Sequence, residues 1–242
     1  PGFEIVIADD GSKQETRDLI EQFSAETEIP VVHVWHEDNG FQKSQILNKA
    51  ILKCSSKYIV MTDGDCIPRK DFMQVHFDRR EPGYFLSGGY FMLPMDISEK
   101  IDKEDIEMQR CFEKSWLQKN GLKSVIKTMK LTSEGRKADF LNKITPTSPT
   151  WNGHNASGWT SDILKVNGFD ERMQYGGQDR ELGERLVNSG IKGKQIRYSA
   201  ICVHLDHPRG YKTQESIDYN RSIRKNTRDT NSVFTKFGIN KS

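Results

Sequence analysis

Apolar positions in the amino-terminal part of the chain follow two alternating periods. Short runs rich in β-branched residues predict strands at 3–8, 31–35, 58–62 and 83–93, the last as one long strand or a strand pair. Apolar residues that recur every three or four positions predict helices at 14–25, 41–53 and 71–80. Because strands that alternate with helices form βαβ units, we expect an α/β fold with a mainly parallel central sheet flanked by helices.

The rest of the chain departs from this pattern. Residues 97–143 are polar with helical spacing, which indicates a helical insertion over one face of the sheet. Residues 145–158 are rich in Pro, Gly, Asn, Ser and Thr and predict a loop or edge segment. The remaining elements are predicted as a helix at 161–166 capped by Ser161, a turn at 167–170, a helix at 179–188, a strand at 198–203 and a basic, partly helical tail from Arg209.

Composition narrows the class of protein. A chain of 242 residues can form one large α/β domain or two small ones, and a net charge of +2 argues against a dedicated nucleic-acid-binding protein. No apolar run approaches the length that spans a bilayer. The four cysteines lack the spacing of a metal site or a disulfide framework, so free thiols in a reducing compartment are expected. Since Pro1 leads at once into a strand, we also expect a further structural element before it.

The second half of the predicted insertion is basic. Residues 110–143 contain nine Lys and Arg, among them Lys127, against three acids. One interpretation is a solvated helical face. The other is a surface for an anionic partner, such as a membrane or a phosphorylated acceptor.

The apolar run at 58–62 ends in two carboxylates, Asp63 and Asp65, on either side of Gly64. A buried strand that ends in acids delivers oxygen ligands to the rim of a sheet, where open α/β sheets bind ligands. Such a pair suits a divalent cation that also holds a diphosphate. Asp and Gly also favour turns, so a plain turn is the alternative.

A second acidic pair, Asp9 and Asp10, follows the first predicted strand. If this strand is parallel to the one before Asp63, both acidic pairs lie at one sheet edge and line a polar crevice. An Asp there can accept hydrogen bonds from a base or from ribose hydroxyls. The alternative is a cap for the helix that follows, a role that Asp and Ser fill well.

Two further polar positions point to the same kind of site. Asp179 follows the glycine pair Gly176 and Gly177 and begins a predicted helix, where a carboxylate could act as a general base toward a hydroxyl or could simply cap the helix. His204 follows the last strand, where an imidazole could complete the coordination of a carboxylate-bound cation or be purely structural.

The order of these motifs resembles that of family 2 glycosyltransferases with the GT-A, Rossmann-like fold. The motifs are Asp9-Asp-Gly-Ser, Asn48 in a helix, Asp63-Gly-Asp-Cys-Ile-Pro, Asn167-Gly-Phe-Asp and Gly176-Gly-Gln-Asp. The second half also resembles the carboxyl domain of β-1,4-galactosyltransferases and of bacterial chondroitin polymerase. The likeness covers about residues 3–207. It implies one GT-A domain over 1–242, with a nucleotide-sugar-binding half at 1–95, a helical insert at 96–147, an acceptor and catalytic half at 148–207 and a basic tail at 208–242.

The resemblance also implies roles for individual residues. Asp9 and Asp10 would contact the base and ribose, Lys43 and Asn48 the uridine or diphosphate, and Asp63 with Gly64 the ribose or donor sugar. Asp65 and His204 would bind Mn²⁺ or Mg²⁺, and Asp179 would be the catalytic base. The sugar and acceptor side would be formed by Trp151, Asn152, Gly177 and Gln178, with Trp159 nearby. Core packing is the alternative for each tryptophan.

The sequence departs from the family pattern at two points. The strand that cups the base in the family is absent before Pro1, and the acid that often precedes the catalytic base is replaced by Gln178. The second change removes a charge, which bears on acceptor specificity.

These observations predict an inverting, metal-dependent enzyme that transfers a hexose or N-acetylhexosamine. The donor would be a nucleoside diphosphate sugar, which the resemblance implies to be UDP-linked, and the acceptor a glycan or lipid-linked glycan of the bacterial cell surface. The location expected from charge is the cytoplasm, with peripheral contact at the inner membrane. A non-catalytic carbohydrate-binding relative and a sugar nucleotidyltransferase are the alternatives, although no Gly/Arg/Lys-rich phosphate loop of the latter is visible early in the sequence.

Overall fold

The computed structural model describes residues 2–123, 128–208 and 211–241. Lys127 of the predicted basic insert and Arg209 at the start of the predicted tail lie outside the described residues. The chain divides into two compact units, each assembled from segments that are distant in sequence. The first comprises Pro1–Ile59, Trp159–Ile191 and Arg209–Ser242, and the second comprises Val60–Gly158 and Lys192–Pro208.

Nine strands and eleven α-helices are found among the described residues. The strands are β1 (Ile5–Asp9), β2 (Val31–Trp35), β3 (Tyr58–Met61), β4 (Cys66–Pro68), β5 (Tyr84–Ser87), β6 (Gly89–Met92), β7 (Ala156–Trp159), β8 (Lys192–Gln195) and β9 (Ile201–His204). The helices are α1 (Gln14–Glu26), α2 (Lys43–Lys53), α3 (Phe72–Arg79), α4 (Met95–Ser98), α5 (Lys103–Glu107), α6 (Lys114–Lys119), α7 (Met129–Thr132), α8 (Gly135–Ile144), α9 (Thr160–Lys165), α10 (Gln178–Asn188) and α11 (Gln214–Asp229). The α/β class is confirmed.

The first unit is built on the parallel pair β1 and β2, whose register places Asp9 opposite Trp35. Helix α2 packs on this pair because Ile46 and Ala50, one turn apart, bury against Val34 and the other strand valines. The unit also contains α10 and α11. Among the described residues, no helix in either unit is long and apolar enough to cross a bilayer.

The second unit contains two sheets. One has the strand order β3-β7-β5-β8 and the other the order β4-β9-β6, and both combine parallel with antiparallel pairs. The segment predicted as one strand or two at 83–93 is therefore a strand pair whose members enter different sheets. An apolar core of the second unit joins β4, β6 and β9 to the insert, whose Cys111, Phe112, Leu117 and Leu131 are buried against these strands. The insert consequently covers a sheet face, as expected.

The structure corrects three details of the sequence analysis. The strands that end at Asp9 and at Met61, before Asp63, belong to different sheets rather than to one sheet edge. Ser161 lies inside α9, which begins at Thr160, so it is not the cap. The insert is not continuously helical, since it consists of several short helices and a 3₁₀ turn at Arg110–Phe112.

Strand β7 is a fourth correction, because a loop or edge segment was expected there. It lies between β3 and β5 and is an internal strand. Its small residues serve packing, since a Cβ at Gly158 would lie 2.9 Å from the ring of Trp151. The Ser157 hydroxyl of the strand lies 2.7 Å from His76 Nδ1, and the Asn155 amide oxygen, just before the strand, lies 2.9 Å from His76 Nε2. Composition alone could not distinguish this tightly packed strand from a loop.

His76 links the stability of the fold to pH. The ring is fully buried, and this burial lowers the pKa of His76 from 6.5 to about 4, against the opposing effect of the hydrogen bond to Asn155. Between these values the unfolded chain binds a proton that the folded chain does not. The free energy of unfolding should therefore fall as pH drops from 6.5 toward 4, by about 1.4 kcal/mol per pH unit for this group.

Urea unfolding at pH 7.5, 5.5 and 4.5 tests this link with the variant His76→Gln. The variant should lose most of this pH dependence, whatever its stability at pH 7.5, because glutamine carries no titrating proton. If wild type and variant lost stability in parallel over this range, His76 would not be the group responsible.

Candidate active site

In the second unit, three side chains converge where β4 begins and β9 ends. Asp65 Oδ2 lies 3.6 Å from His204 Nε2 and 2.9 Å from His207 Nε2. Two backbone features position them: β4 pairs with β9 so that Cys66 lies opposite His204, and the Leu205 N–H donates to the Asp65 carbonyl at 2.9 Å. The acid and the imidazoles thus come from segments about 140 residues apart in sequence, joined by strand pairing.

The orientation of both imidazoles fits a cation. His204 Nδ1 lies 2.8 Å from the Leu205 carbonyl, and His207 Nδ1 lies 2.9 Å from the Pro208 carbonyl. A carbonyl only accepts hydrogen bonds, so each Nδ1 carries the proton and a neutral ring turns its Nε2 lone pair toward the Asp65 carboxylate. A divalent cation bound by this carboxylate could also accept these lone pairs, and a carbonyl behind each ring is the usual support of a metal-binding histidine.

Cys66 lies beside this cluster, and its sulfur is close enough to Asp65 and His204 to count among the potential ligands. The neighbouring Cys202 thiol, together with burial and the nearby carboxylates, raises the pKa of Cys66 far above the usual range. Because Mg²⁺ and Mn²⁺ prefer carboxylate oxygen and tolerate imidazole, a neutral buried thiol is a poor ligand for them. Asp65 and His204 belong to the group whose ligand atoms are close enough to hold a metal ion, and His207 approaches the same Asp65 oxygen. These oxygen and imidazole donors could hold a borderline divalent cation.

His207 is a site residue that the sequence analysis did not assign. The signal was present in the spacing of His204 and His207, but the expected strand end favoured a single imidazole. Gly64 is exposed, a Cβ there would meet open space, and its contact with a donor stays a prediction. Asp63 is partly buried in the same turn, where its carbonyl accepts the Cys66 N–H at 3.1 Å.

In the first unit, Asp9 and Asp10 are held by two histidines of the β2 region. Asp9 accepts hydrogen bonds from the Ser12 N–H and lies 2.8 Å from His33 Nε2. Asp10 lies 2.6 Å from His36 Nε2 and accepts the Gln42 N–H at 2.8 Å. Sequence reasoning missed both histidines, because an apolar strand gives no signal for the partner of a neighbouring carboxylate.

The two acids differ in accessibility. Asp9 is buried, which by itself raises its pKa, but the hydrogen bonds from Ser12 and the proximity of His33 outweigh burial and hold the pKa of Asp9 below its usual value. Asp10 is the more exposed of the two. Asp9 therefore shapes the turn after β1, whereas Asp10 retains a surface that a ligand could reach.

Asn48 has a different role from the one that the family resemblance implied. It is buried, its amide oxygen accepts the Phe169 N–H at 2.7 Å, and its amide nitrogen donates to the Phe169 carbonyl and to Glu171. Its hydrogen-bonding capacity is thus directed to the Asn167-Gly-Phe-Asp turn rather than to a nucleotide. Lys43, at the first position of α2, is partly buried and stays a predicted contact of the diphosphate.

Asp179 occupies the first turn of α10, as expected, and Gly177 is the residue that caps this helix. Gly176 and Gly177 have φ of 108° and 90°, which favours glycine at both positions. Gln178 accepts the Gly176 N–H at 3.0 Å, so its amide oxygen stabilises the glycine loop. A carboxylate in the first turn is also favoured by the helix dipole.

Helix α11 holds the loop that leads to Asp179. The fully buried Asn220 directs its amide nitrogen at the carbonyls of Gln174, Tyr175 and Gly176, at 3.0, 3.1 and 3.0 Å. Ser216 adds a hydrogen bond to the Tyr175 carbonyl at 3.2 Å. The sequence analysis treated this part of the chain as a polar tail and assigned it no such role.

A buried ion pair also fixes α10 itself. Arg185 donates to Glu181 at 2.8 Å, to the Gly168 carbonyl at 2.6 Å and to the Val166 carbonyl. Glu181 also accepts the Thr227 hydroxyl at 2.9 Å. Both charged side chains are buried, and the helix that carries Asp179 is thereby attached to the Asn167-Gly turn and to α11.

The predicted sugar-side residues of the second unit are differently placed. Trp151 is 0% exposed, and its ring packs on Phe85 at a centroid distance of 5.8 Å, which favours the core-packing alternative. Asn152 is partly exposed and is held by Thr150 at 3.0 Å and Ser87 at 3.3 Å. Of these two, only Asn152 presents a polar group that a ligand could contact.

Sequence comparison identifies similar proteins. Residues 1–97 match the model described as glycosyl transferase family 2. The chain is 24% identical to the uncharacterized glycosyltransferase YfnE of Bacillus subtilis (strain 168), over 90% of this chain and 61% of that protein. It is 20% identical to the chondroitin synthase of Escherichia coli, over 85% of this chain and 31% of that protein. The chain thus spans less than two thirds of the length of these relatives.

Structural comparison extends the likeness beyond residue 97. A mannosyltransferase from Pyrobaculum calidifontis, in complex with GDP-Man and Mn²⁺, matches 86% of this chain and 49% of its own with a TM-score of 0.54 and 17% identity. GalNAc-T7, with UDP, GalNAc and Mn²⁺, matches 92% of this chain and 41% of its own with a TM-score of 0.58 and 11% identity. At such identities the likeness establishes the fold. The resemblance inferred from the motifs is therefore confirmed at two levels: residues 1–97 match the family 2 glycosyltransferase model, and the fold of the chain is that of GT-A glycosyltransferases.

Proposed function

We propose that this chain is an inverting, metal-dependent glycosyltransferase. It transfers a hexose or N-acetylhexosamine from a nucleoside diphosphate sugar to a hydroxyl of a growing cell-surface glycan. The observation that carries the proposal is the convergence of two imidazoles on one acid, since the Nε2 atoms of His204 and His207 are both directed at Asp65 Oδ2. Support also comes from relatives and neighbours whose names include chondroitin synthase and a mannosyltransferase with GDP-Man and Mn²⁺.

Asp65, His204 and His207 would hold the cation, Mn²⁺ or Mg²⁺. When bound there, it would offset the negative charge of a donor diphosphate as a Lewis acid. The backbone carbonyls behind both imidazoles fix the rings, so that the ligand atoms need no reorientation on binding. Asp63 and the open backbone at Gly64 would contact the ribose or donor sugar, and Asp10 with Lys43 the nucleotide.

Asp179 would act as the general base. Its carboxylate takes the proton from an acceptor hydroxyl while that oxygen attacks the anomeric carbon from the face opposite the leaving diphosphate, which inverts the configuration. The glycine loop, fixed by Gln178 and Asn220, sets the position of this carboxylate. Gly177, Gln178 and Asn152 would contribute to the acceptor side.

The donor is proposed to be UDP-linked. This assignment rests on the galactosyltransferase-like motifs of the second half and on the UDP in the GalNAc-T7 complex. The GDP-Man in the mannosyltransferase complex makes a GDP-linked donor the competing choice. The acceptor, a glycan or lipid-linked glycan, would be elongated at the cytoplasmic face of the bacterial membrane, to which the basic insert would bind peripherally.

A panel of nucleotide sugars tests the proposed function. Purified protein should release a nucleoside diphosphate from one donor, and a chelator should abolish the release. Release of pyrophosphate from a nucleoside triphosphate and a sugar phosphate would instead indicate a nucleotidyltransferase. Glycan binding without release from any donor would indicate a non-catalytic relative.

A further inference from the structure

Helix α8 presents an exposed face that combines cations with large apolar side chains. Phe140 and Ile144 are 61% and 57% exposed. Arg136, Lys137 and Lys143 are exposed beside them. At 100° per residue these five side chains span an arc of roughly 120°, with the two apolar residues near its middle and a cation at each edge. We name these five residues the α8 face.

The opposite side of α8 attaches it to the second unit. Ala138 is fully buried, and Asn142 bonds to the Ser199 hydroxyl at 2.8 Å and accepts the Tyr198 N–H at 2.9 Å. The helix is therefore anchored through one side and presents the α8 face as a formed surface.

The α8 face carries net positive charge without local compensation. None of its three cations is in an ion pair with an acid among residues 2–123, 128–208 and 211–241. Asp139 lies outside the face and pairs with Arg79 at 2.5 Å, while Glu134 precedes the helix. Charge complementarity therefore favours an anionic partner.

The apolar pair decides which anionic partner fits. A polyanion in water, such as a nucleic acid or an acidic glycan, gains little from exposed Phe and Ile side chains. A membrane surface offers anionic headgroups to the cations and an acyl boundary into which the apolar side chains can insert. We propose that the α8 face docks the protein peripherally on an anionic phospholipid bilayer, which assigns the membrane contact proposed for the basic insert to these five residues and does not depend on the transfer reaction.

Vesicle co-sedimentation of the whole chain tests this proposal. Wild-type protein should sediment with vesicles containing phosphatidylglycerol and phosphatidylcholine but not with phosphatidylcholine alone. The variant Phe140→Ser/Ile144→Ser should lower the partition coefficient by about tenfold or more. Arg136→Gln/Lys137→Gln/Lys143→Gln should lower it by about a hundredfold, near fivefold per cation.

A matched control uses two helix residues of the first unit with similar exposure, Leu19 at 65% and Leu52 at 59%. Leu19→Ser/Leu52→Ser should bind vesicles as wild type does, and far-ultraviolet circular dichroism should show that all variants are folded. The proposal is overturned if the wild-type protein does not bind anionic vesicles or if the control variant loses as much binding as the apolar variant does. It is also overturned if only the cation variant weakens vesicle binding, because that result indicates general attraction to polyanions. Conversion of a dimer to a monomer by the apolar variant would overturn it too, because the face would then be a contact between copies.

Discussion

Replacing Asp179 by asparagine is expected to lower the rate of sugar transfer by about 10²–10⁴-fold. Asparagine fits the same space in the first turn of α10 but cannot accept the proton of an acceptor hydroxyl. Because the glycine loop and its hydrogen bonds to Gln178 and Asn220 remain, the fold and the donor affinity should be retained. The measurement is steady-state product formation together with donor affinity by calorimetry.

The control for this experiment is Asp218→Asn, which removes an exposed carboxylate of α11 that pairs with Gln214 and Arg221 of its own helix. It should retain full activity. Near-normal turnover by Asp179→Asn would show that another group takes the proton. A parallel loss of donor binding would instead assign Asp179 to the donor rather than to the base.

Replacing Arg185 by methionine is expected to destabilise the fold by about 3–5 kcal/mol. Within the described residues, the substitution leaves the Thr227 hydroxyl as the remaining hydrogen-bond partner of the buried Glu181, and it removes the donors to the carbonyls of Val166 and Gly168. An uncompensated buried carboxylate is costly because its hydration is lost and little replaces it. Urea unfolding monitored by tryptophan fluorescence gives the free energy.

Two controls identify the cause of that loss. Arg221→Met breaks the exposed pair with Asp218, and such surface pairs contribute about 0–1 kcal/mol. The double variant Arg185→Met/Glu181→Gln removes the stranded charge and should recover part of the stability. If Arg185→Met cost no more than Arg221→Met, the buried pair would not be what holds α10.

Local sequence pattern predicted most elements because each depends on its own residues. The strand at 31–35 and the helix at 14–25 have the expected positions within one residue, since their periodicity and boundaries are encoded locally. Strand β7 was missed because its small polar residues are explained by tertiary packing, namely the ring of Trp151 against Gly158 and the hydrogen bond of Ser157 to His76, which is 81 residues away. The insert was predicted as helical, but its breaks depend on packing against β4, β6 and β9.

The candidate site was predictable to the extent that motifs mark the ends of strands. Asp65 and His204 were both assigned to strand ends, and the β4–β9 register brings them together, while their role as metal ligands stays a prediction. The proximity of His207 could not be derived, since it depends on the path of the chain after β9. Asn48 shows the converse, because a residue assigned by resemblance proves to be committed to the turn at Phe169.

Calorimetric titration of nucleoside diphosphates tests the central claim, a donor site organised by a cation at Asp65. UDP and GDP are each titrated under three conditions: into wild-type protein with Mn²⁺, into wild-type protein with a chelator, and into the Asp65→Ala variant with Mn²⁺. The account predicts that one nucleotide binds wild type in the presence of Mn²⁺ and that chelation or Asp65→Ala weakens this binding by about tenfold or more. Binding of equal affinity in all three conditions, or no Mn²⁺-dependent binding of either nucleotide, would contradict it.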